Sequence, residues 1–263
     1  MKIPYFISHF FGGRAQLPII DDEGEGPTVM MVHGIAASAA AWKNLLPLAK
    51  KEYRCVTVDL LGFGSMPSAK QGGYTIDDQV RALNRTIQSL GSKEQVVLIG
   101  HSMGALIAAR YAATYKKKVS RLVMVAPPIY MDPHELTDPL ARSQMDFYLK
   151  AYDFLRENKN FTLRNAKAIK GLLPVPESLD INETTWASFV NSLENMIESQ
   201  TTLNDIAETT APVTVLYGTL DPLNHPQTLK IVARFRDVEV IPVQGGGHII
   251  GKKTATAIMK SLA

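Results

Sequence analysis

Residues 96–115 read VVLIGHSMGALIAARYAATY, and the rest of the chain is organised around this stretch. Val96, Val97, Leu98 and Ile99 form a short apolar run rich in β-branched residues, the pattern of a buried strand. Gly100-His101-Ser102-Met103-Gly104 follows, and then an alanine-rich segment of strong helix formers without a breaker. The order is strand, tight turn, helix. A reversal this short crowds the backbone, and the glycines on either side of Ser102 remove the Cβ atoms that would collide. Such a turn lifts the Ser102 hydroxyl above the sheet at a helix N-terminus, where the Met103 N–H and the positive end of the helix dipole face the same point.

A serine hydroxyl is a weak nucleophile at neutral pH. It needs a histidine base, and the base needs an acid to hold its tautomer and orientation. The turn therefore demands an Asp or Glu and then a His, both later in the chain and both in loops after strands. Asp221 stands in Gly218-Thr219-Leu220-Asp221-Pro222, directly after a strand expected over 213–217. His248 ends Gln244-Gly245-Gly246-Gly247-His248, after a strand expected over 238–243. Asp132 is the alternative acid; His134 and His225 are poorer bases, since neither follows the last strand. His33 and His101 flank the site expected for an oxyanion and read as positioning groups that also border the substrate pocket. The loop of small residues after the strand at 28–32 makes the Ile35 N–H the natural second oxyanion donor, opposite Met103.

The 263-residue chain is 46% hydrophobic and 20% charged, the balance of a soluble globular protein able to bury its own core. Its net charge is +3, and Lys116-Lys117-Lys118 falls at a helix end, so it reads as a solvated cap and not as a nucleic-acid surface. The single cysteine, Cys55, sits in an apolar strand-like run; it rules out an internal disulfide and suits a reducing cytoplasm. Near the N-terminus a lysine precedes apolar residues, but Pro4, Ser8 and His9 interrupt the run, against a signal peptide. No stretch approaches the roughly 18 apolar residues of a membrane span.

Further strands are expected over 3–10 and 14–20, as a hairpin turning at Gly12-Gly13, and over 28–32, 55–60 and 122–126. Residues 21–26 read as an acidic loop. Helices are expected over 39–50, from the Thr75 cap to Gly91, over 226–235 and over 252–262. Between 129 and 210 only helical patterns occur, over 140–157, 161–172 and 184–197. Strands alternating with helices imply an α/β fold: a mostly parallel central sheet with helices on both faces and ligands at the strand C-terminal ends. Residues 1–128 and 211–263 would form the core, and 129–210 a helical cap inserted after strand six. Met131, Met145, Tyr148 and Trp186, in that insertion, are candidates to line a substrate pocket.

With these residues in view the chain resembles the α/β-hydrolase superfamily over nearly its full length. The matching segments are His33-Gly34, Asp59-Leu60-Leu61-Gly62-Phe63-Gly64-Ser65, the turn from Gly100 to Gly104, Gly218-x-x-Asp221 and Gly247-His248. It is similar to small bacterial members with a helical cap, among them carboxylesterases, enol-lactonases and meta-cleavage-product hydrolases. The resemblance implies Ser102 as nucleophile, His248 as base and then acid, Asp221 as its orienter, and the Ile35 and Met103 amides as oxyanion hole. It implies no metal and no organic cofactor, a small-molecule ester as substrate, and a monomer or homodimer. Dehalogenases and epoxide hydrolases of this fold carry Asp at the turn, so Ser102 argues against both. The C–C hydrolases usually carry a tryptophan soon after the histidine, whereas Ile249-Ile250-Gly251-Lys252 follows here. The leading expectation is a serine esterase; a C–C hydrolase, lactonase or perhydrolase using the same triad, or a small-ligand receptor, are the alternatives.

Overall fold

The computed structural model of the chain describes residues 15–66, 74–91, 94–131, 134, 138–166 and 181–262. Seven strands pair into one sheet: β1 (Ile19–Glu23), β2 (Thr28–Val32), β3 (Arg54–Val58), β4 (Val96–His101), β5 (Val119–Val125), β6 (Val213–Gly218) and β7 (Val238–Val243). Their spatial order is β1-β3-β2-β4-β5-β6-β7. Every pairing is parallel except β1 with β3.

The central strands are apolar on both faces because both faces are covered. All of β2 is buried; Met30 and Val32 join one apolar cluster, while Val29 and Met31 join the other. The first cluster takes in α2 (Ile76–Ser89) and α3 (Met103–Thr114) through Leu83, Leu106 and their neighbours. The second takes in Trp42, Leu45 and the last helix, Lys252–Leu262, through Ala255, Ile258 and Leu262. Cys55 lies in this second cluster, and burial pushes its thiol up to about 11, so it stays protonated and packs as a small apolar group.

The expected helix over 39–50 is instead a 3-10 turn, Ala39–Trp42, followed by a short α1, Leu46–Ala49. Pro47 lies in the first turn of α1; without an N–H it cannot bond back to the preceding turn, so the helix restarts there, where the missing donor costs nothing. The strand expected over 14–20 begins only at Ile19 and runs on through Asp21, Asp22 and Glu23, which read as a loop in the sequence. This is an outer strand of the described sheet, where acidic side chains find partners beside it. Asp22 takes two hydrogen bonds from Arg54, at 2.7 and 2.8 Å, and Thr57 Oγ1 donates to Asp21. Glu23 accepts from Lys50 at 2.7 Å. The expected strand at 3–10 and its turn at Gly12-Gly13 lie outside the described residues, as does the second half, 167–172, of the helix expected over 161–172.

Between β5 and β6 the described residues contain helices only: α4 (Pro139–Glu157), α5 (Lys159–Arg164), α6 (Trp186–Ser192), a π-helical turn (Leu193–Glu198) and α7 (Thr202–Glu208). These helices therefore follow the fifth described strand; it is the sixth only when the strand expected at 3–10 is counted. After β6 come α8 (Pro226–Val232), then β7 and α9 (Lys252–Leu262). The register brings the strand ends level: Val32 pairs with Gly100, His101 with Val125, Val125 with Leu216 and Gly218 with Val243. The loops that leave β2, β4, β6 and β7 consequently meet at one end of the sheet.

Candidate active site

Ser102 is the residue between β4 and α3, with φ 54° and ψ −125°, a left-handed conformation that non-glycine residues rarely hold. Its neighbours keep it there. A Cβ on Gly104 would stand 2.3 Å from the carbonyl oxygens of both Val32 and His33, and one on Gly100 would stand 2.3 Å from the Gly104 carbonyl oxygen. The start of α3 thus rests directly on β2 and β4, which is possible only without side chains at these two places. The Ser102 amide donates to Val125 O at 2.9 Å and fastens the turn to β5.

His248 Nε2 lies 3.0 Å from Ser102 Oγ, and His248 Nδ1 lies 2.8 Å from Asp221 Oδ2. All three residues are buried, with 6%, 4% and 6% of the Ser102, His248 and Asp221 surfaces exposed. An ionised Asp221 accepts a hydrogen bond, so Nδ1 carries the proton and the bare Nε2 accepts from the serine hydroxyl. The other carboxylate oxygen, Oδ1, accepts from the Leu223 amide at 2.9 Å, which fixes the rotation of the acid. The Asn224 side chain closes the loop by donating to Gly218 O at 2.6 Å. Three loops from distant parts of the sequence therefore join in one hydrogen-bonded chain. Asp221→Asn is expected to lower kcat by about 10⁴-fold, because an amide nitrogen facing Nδ1 favours the wrong tautomer. Steady-state kinetics on a folded variant checks this, and a loss under tenfold would remove Asp221 from the chain of proton control.

The Ile35 and Met103 amides are the donors expected to face an oxyanion. Met103 opens α3, and the Ile35 loop touches the serine: a Cβ on Gly34 would lie 3.0 Å from Ser102 Cβ. Neither amide donates to a backbone carbonyl in the described loops. His33 holds this loop. Its Nδ1–H donates to Gly34 O at 2.8 Å, and its Nε2 accepts from the Leu60 amide at 3.0 Å. Both ring nitrogens are occupied and the side chain is fully buried, so His33 clamps the loop from behind.

Asp59, a residue given no role from sequence, pins the neighbouring loop. It accepts from the Ala39 and Ser65 amides, each at 2.7 Å, while a Cβ on Gly64, φ 57°, would run into its carboxylate at 2.3 Å. Its place just after β3 and before two glycines was the available signal.

The other candidates separate. The Tyr148 hydroxyl donates to Pro222 O beside the acid, and the Tyr130 ring stacks on Tyr148 with centroids 6.2 Å apart. Tyr130 and Tyr152, which the sequence did not single out as site residues, share a hydroxyl–hydroxyl hydrogen bond of 2.8 Å. Burial pushes Tyr152 up to about 12 and holds Tyr130 well above the usual tyrosine range, so both stay protonated. Met145 is fully buried in the main apolar cluster and packs the insertion; Trp186 lies 5.9 Å from Phe189 and under the Lys159 ammonium; Met131 is partly buried against the same cluster. His225 spends Nε2–H on Ala141 O of α4 and accepts from Thr228 Oγ1 at Nδ1, each at 3.1 Å, which leaves no nitrogen for a base. Asp132 lies outside the described residues. Among the described residues no cluster of His, Cys, Asp and Glu is suited to hold a metal ion.

Burial lowers the proton affinity of His33, and it drives His101 down to about 3, with repulsion from His248 adding to the effect. The unfolded chain protonates its histidines as pH falls through about 6.5, whereas these two stay neutral when folded. The unfolded state then binds more protons, so stability is full above about 6.5 and declines as pH falls toward the folded values. His101 alone is expected to remove about 2 kcal/mol between about pH 7 and pH 5. Urea midpoints measured at these two pH values test it; a curve flat down to the carboxylate range contradicts it.

The chain belongs to the alpha/beta hydrolase fold family, whose model matches residues 27–252. It is 30% identical over 138 residues to cis-3-alkyl-4-alkyloxetan-2-one decarboxylase of Shewanella oneidensis, a match covering 52% of this chain and 43% of that protein. This chain thus spans less than half the length of that relative. Lipase 1 of Psychrobacter immobilis is 25% identical over 237 residues, 85% of this chain and 72% of the lipase. Haloalkane dehalogenase DbeA from Bradyrhizobium elkani superposes with a TM-score of 0.72 at 20% identity, over 92% of this chain and 91% of that one. Among the described residues no helix is long and apolar enough to cross a membrane.

Proposed function

We propose that this protein is a serine hydrolase that cleaves carboxylic esters of small to medium acyl groups through an acyl-enzyme on Ser102. The observation that carries the reading is the chain from Ser102 Oγ through the His248 ring to Asp221, with contacts of 3.0 and 2.8 Å in a buried setting. Nε2 takes the hydroxyl proton as Oγ attacks the ester carbonyl, and Asp221 stabilises the imidazolium that forms. The developing oxyanion meets the Ile35 and Met103 amides, each lowering the barrier by about 2.7–4 kcal/mol. The Nε2 proton then passes to the leaving alkoxide. Water, deprotonated by the same nitrogen, releases the acid product.

In this reading residues 129–210 form a cap whose apolar and aromatic residues favour an uncharged or weakly polar small molecule. Tyr148, reaching the loop of the acid, is the candidate best supported to border the substrate. The lipase relative supports ester chemistry. A hydroxyl at the turn favours acyl transfer over the halide displacement named for the structural neighbour. A second reading keeps the triad and changes the ring: the oxetan-2-one of the other relative is a four-membered cyclic ester, and the same attack opens a lactone. A graded series of nitrophenyl esters and small lactones, run on wild type and Ser102→Ala, tests both. Turnover of short esters that vanishes in the variant supports the first; turnover of lactones alone moves the assignment to the second. No turnover and no labelling of Ser102 by a fluorophosphonate would leave a ligand-binding protein.

A further inference from the structure

The loop that carries His248 begins with Gly245, Gly246 and Gly247, three residues whose backbone is intrinsically loose. Its first part is tied down. Gly245 N donates to Thr219 Oγ1 at 2.9 Å, Gly246 N to Val243 O at 3.0 Å, and Leu220 N to Gly246 O at 2.8 Å. Gly247, next to the histidine, has no atom within 4 Å of the place its Cβ would take. The His248 main chain is reached by a side chain from the opposite wall: His101 Nε2–H donates to His248 O at 2.8 Å. His101 is the residue immediately before Ser102, so this bond ties the two partners of the serine–histidine contact to each other by a second route.

We propose that His101 is a positioning residue whose Nε2–H holds the backbone of the base at the distance from Ser102 that proton transfer requires. The inference rests on the serine-hydrolase reading above. Three features of the ring fit the role. It is 1% exposed and lies with its centroid 5.2 Å from that of His248. Its other nitrogen, Nδ1, is buried without a partner and faces Gly34, where a Cβ would come within 3.4 Å. The Gly34 loop therefore backs the ring from one side and the base accepts from it on the other, so the imidazole has no room to turn. Burial keeps it neutral, so it does not repel His248 when that ring takes up the serine proton. Solvent and substrate have no access to its donor, which acts only through residue 248.

The test compares three substitutions in the full-length protein. His101→Gln places an amide donor near the position of Nε2, His101→Asn places one near Nδ1, and His101→Phe keeps a ring without a donor. His101→Phe and His101→Asn are expected to lower kcat for a nitrophenyl ester by about 10- to 100-fold with KM changed less than about twofold, while His101→Gln recovers most of kcat. Gln and Asn differ by one methylene, so their comparison decides the matter even if the Phe variant fails to fold. Equal kcat in the Gln and Asn variants, or losses carried by KM, overturns the proposal and leaves His101 as core packing. Wild-type turnover that disappears in Ser102→Ala is the separate control for the parent reading. Nitrogen-15 NMR of labelled histidines gives a readout independent of turnover: His101 is expected as the Nε2–H tautomer, neutral down to about pH 5. The Nδ1–H tautomer contradicts the proposal whether or not esters are cleaved.

Discussion

Ser102→Ala is expected to lower kcat/KM toward a short-chain nitrophenyl ester by about 10⁴- to 10⁶-fold, with the fold intact. The size follows from what is removed. Without Oγ no acyl-enzyme forms, and only binding and the oxyanion amides remain to help water attack directly. His248→Gln is expected to fall as far, since an unassisted hydroxyl at neutral pH is as ineffective as a missing one. Combining the two should bring almost no further loss, because groups that act as one unit lose their function together. Steady-state kinetics on the two single variants and the double variant gives the comparison. Additive losses would mean that Ser102 and His248 act independently, against a shared proton at the 3.0 Å contact.

Gly104→Ala is expected to destabilise the protein by more than about 4 kcal/mol, a large part of the roughly 5–15 kcal/mol that holds a domain folded. The new methyl would meet two backbone oxygens at 2.3 Å, those of Val32 and His33, and both belong to β2 or the residue after it. A flexible side chain could swing away; a paired strand cannot. Relief requires α3 to lift off the sheet, which opens the cluster containing Met103, Leu106 and Ile107. Gly247→Ala is the control, with nothing within 4 Å, and is expected to change stability by less than about 0.5 kcal/mol. Urea denaturation of both variants checks the pair; similar midpoints would mean that the close approach of α3 to β2 is not what holds the turn.

The residues that decide this fold carried strong local signals. Val96 to Ile99 and Val29 to Val32 are apolar on consecutive positions because each has a covered face on both sides, and that pattern is visible without coordinates. The capping box of α2 was legible in the same way: Thr75 and Asp78 exchange the hydrogen bonds that their spacing implies. What was lost depended on contacts between distant segments. Asp21 to Glu23 look like a loop until Arg54, Thr57 and Lys50 are placed beside them. α7 follows Thr201, whose hydroxyl bonds to Asp205 and whose neighbour Arg110 comes from α3; seven residues are too few for apolar spacing to announce a helix.

The site shows the same division. Ser102, Asp221 and His248 were legible because a strained turn and two loop positions after strands are local features. His33, Asp59 and Tyr130 act through partners far away in sequence: Leu60 for His33, Ala39 for Asp59, Tyr152 for Tyr130. No pattern within one segment shows which nitrogen of His33 is occupied. The place of His101 beside the serine is plain in the sequence, while its partner, 147 residues on, is set only by the packing of the β7 loop against β4.

The central claim is that Ser102 is made nucleophilic by His248, and covalent labelling measures this without knowledge of the natural substrate. Wild-type protein treated with a fluorophosphonate and digested for mass spectrometry is predicted to carry one adduct per chain, on the peptide containing Ser102. The adduct should be absent in Ser102→Ala, and in His248→Gln it should form at least about 10³-fold more slowly. An adduct on another residue, no adduct at all, or an equal rate in His248→Gln would contradict the account.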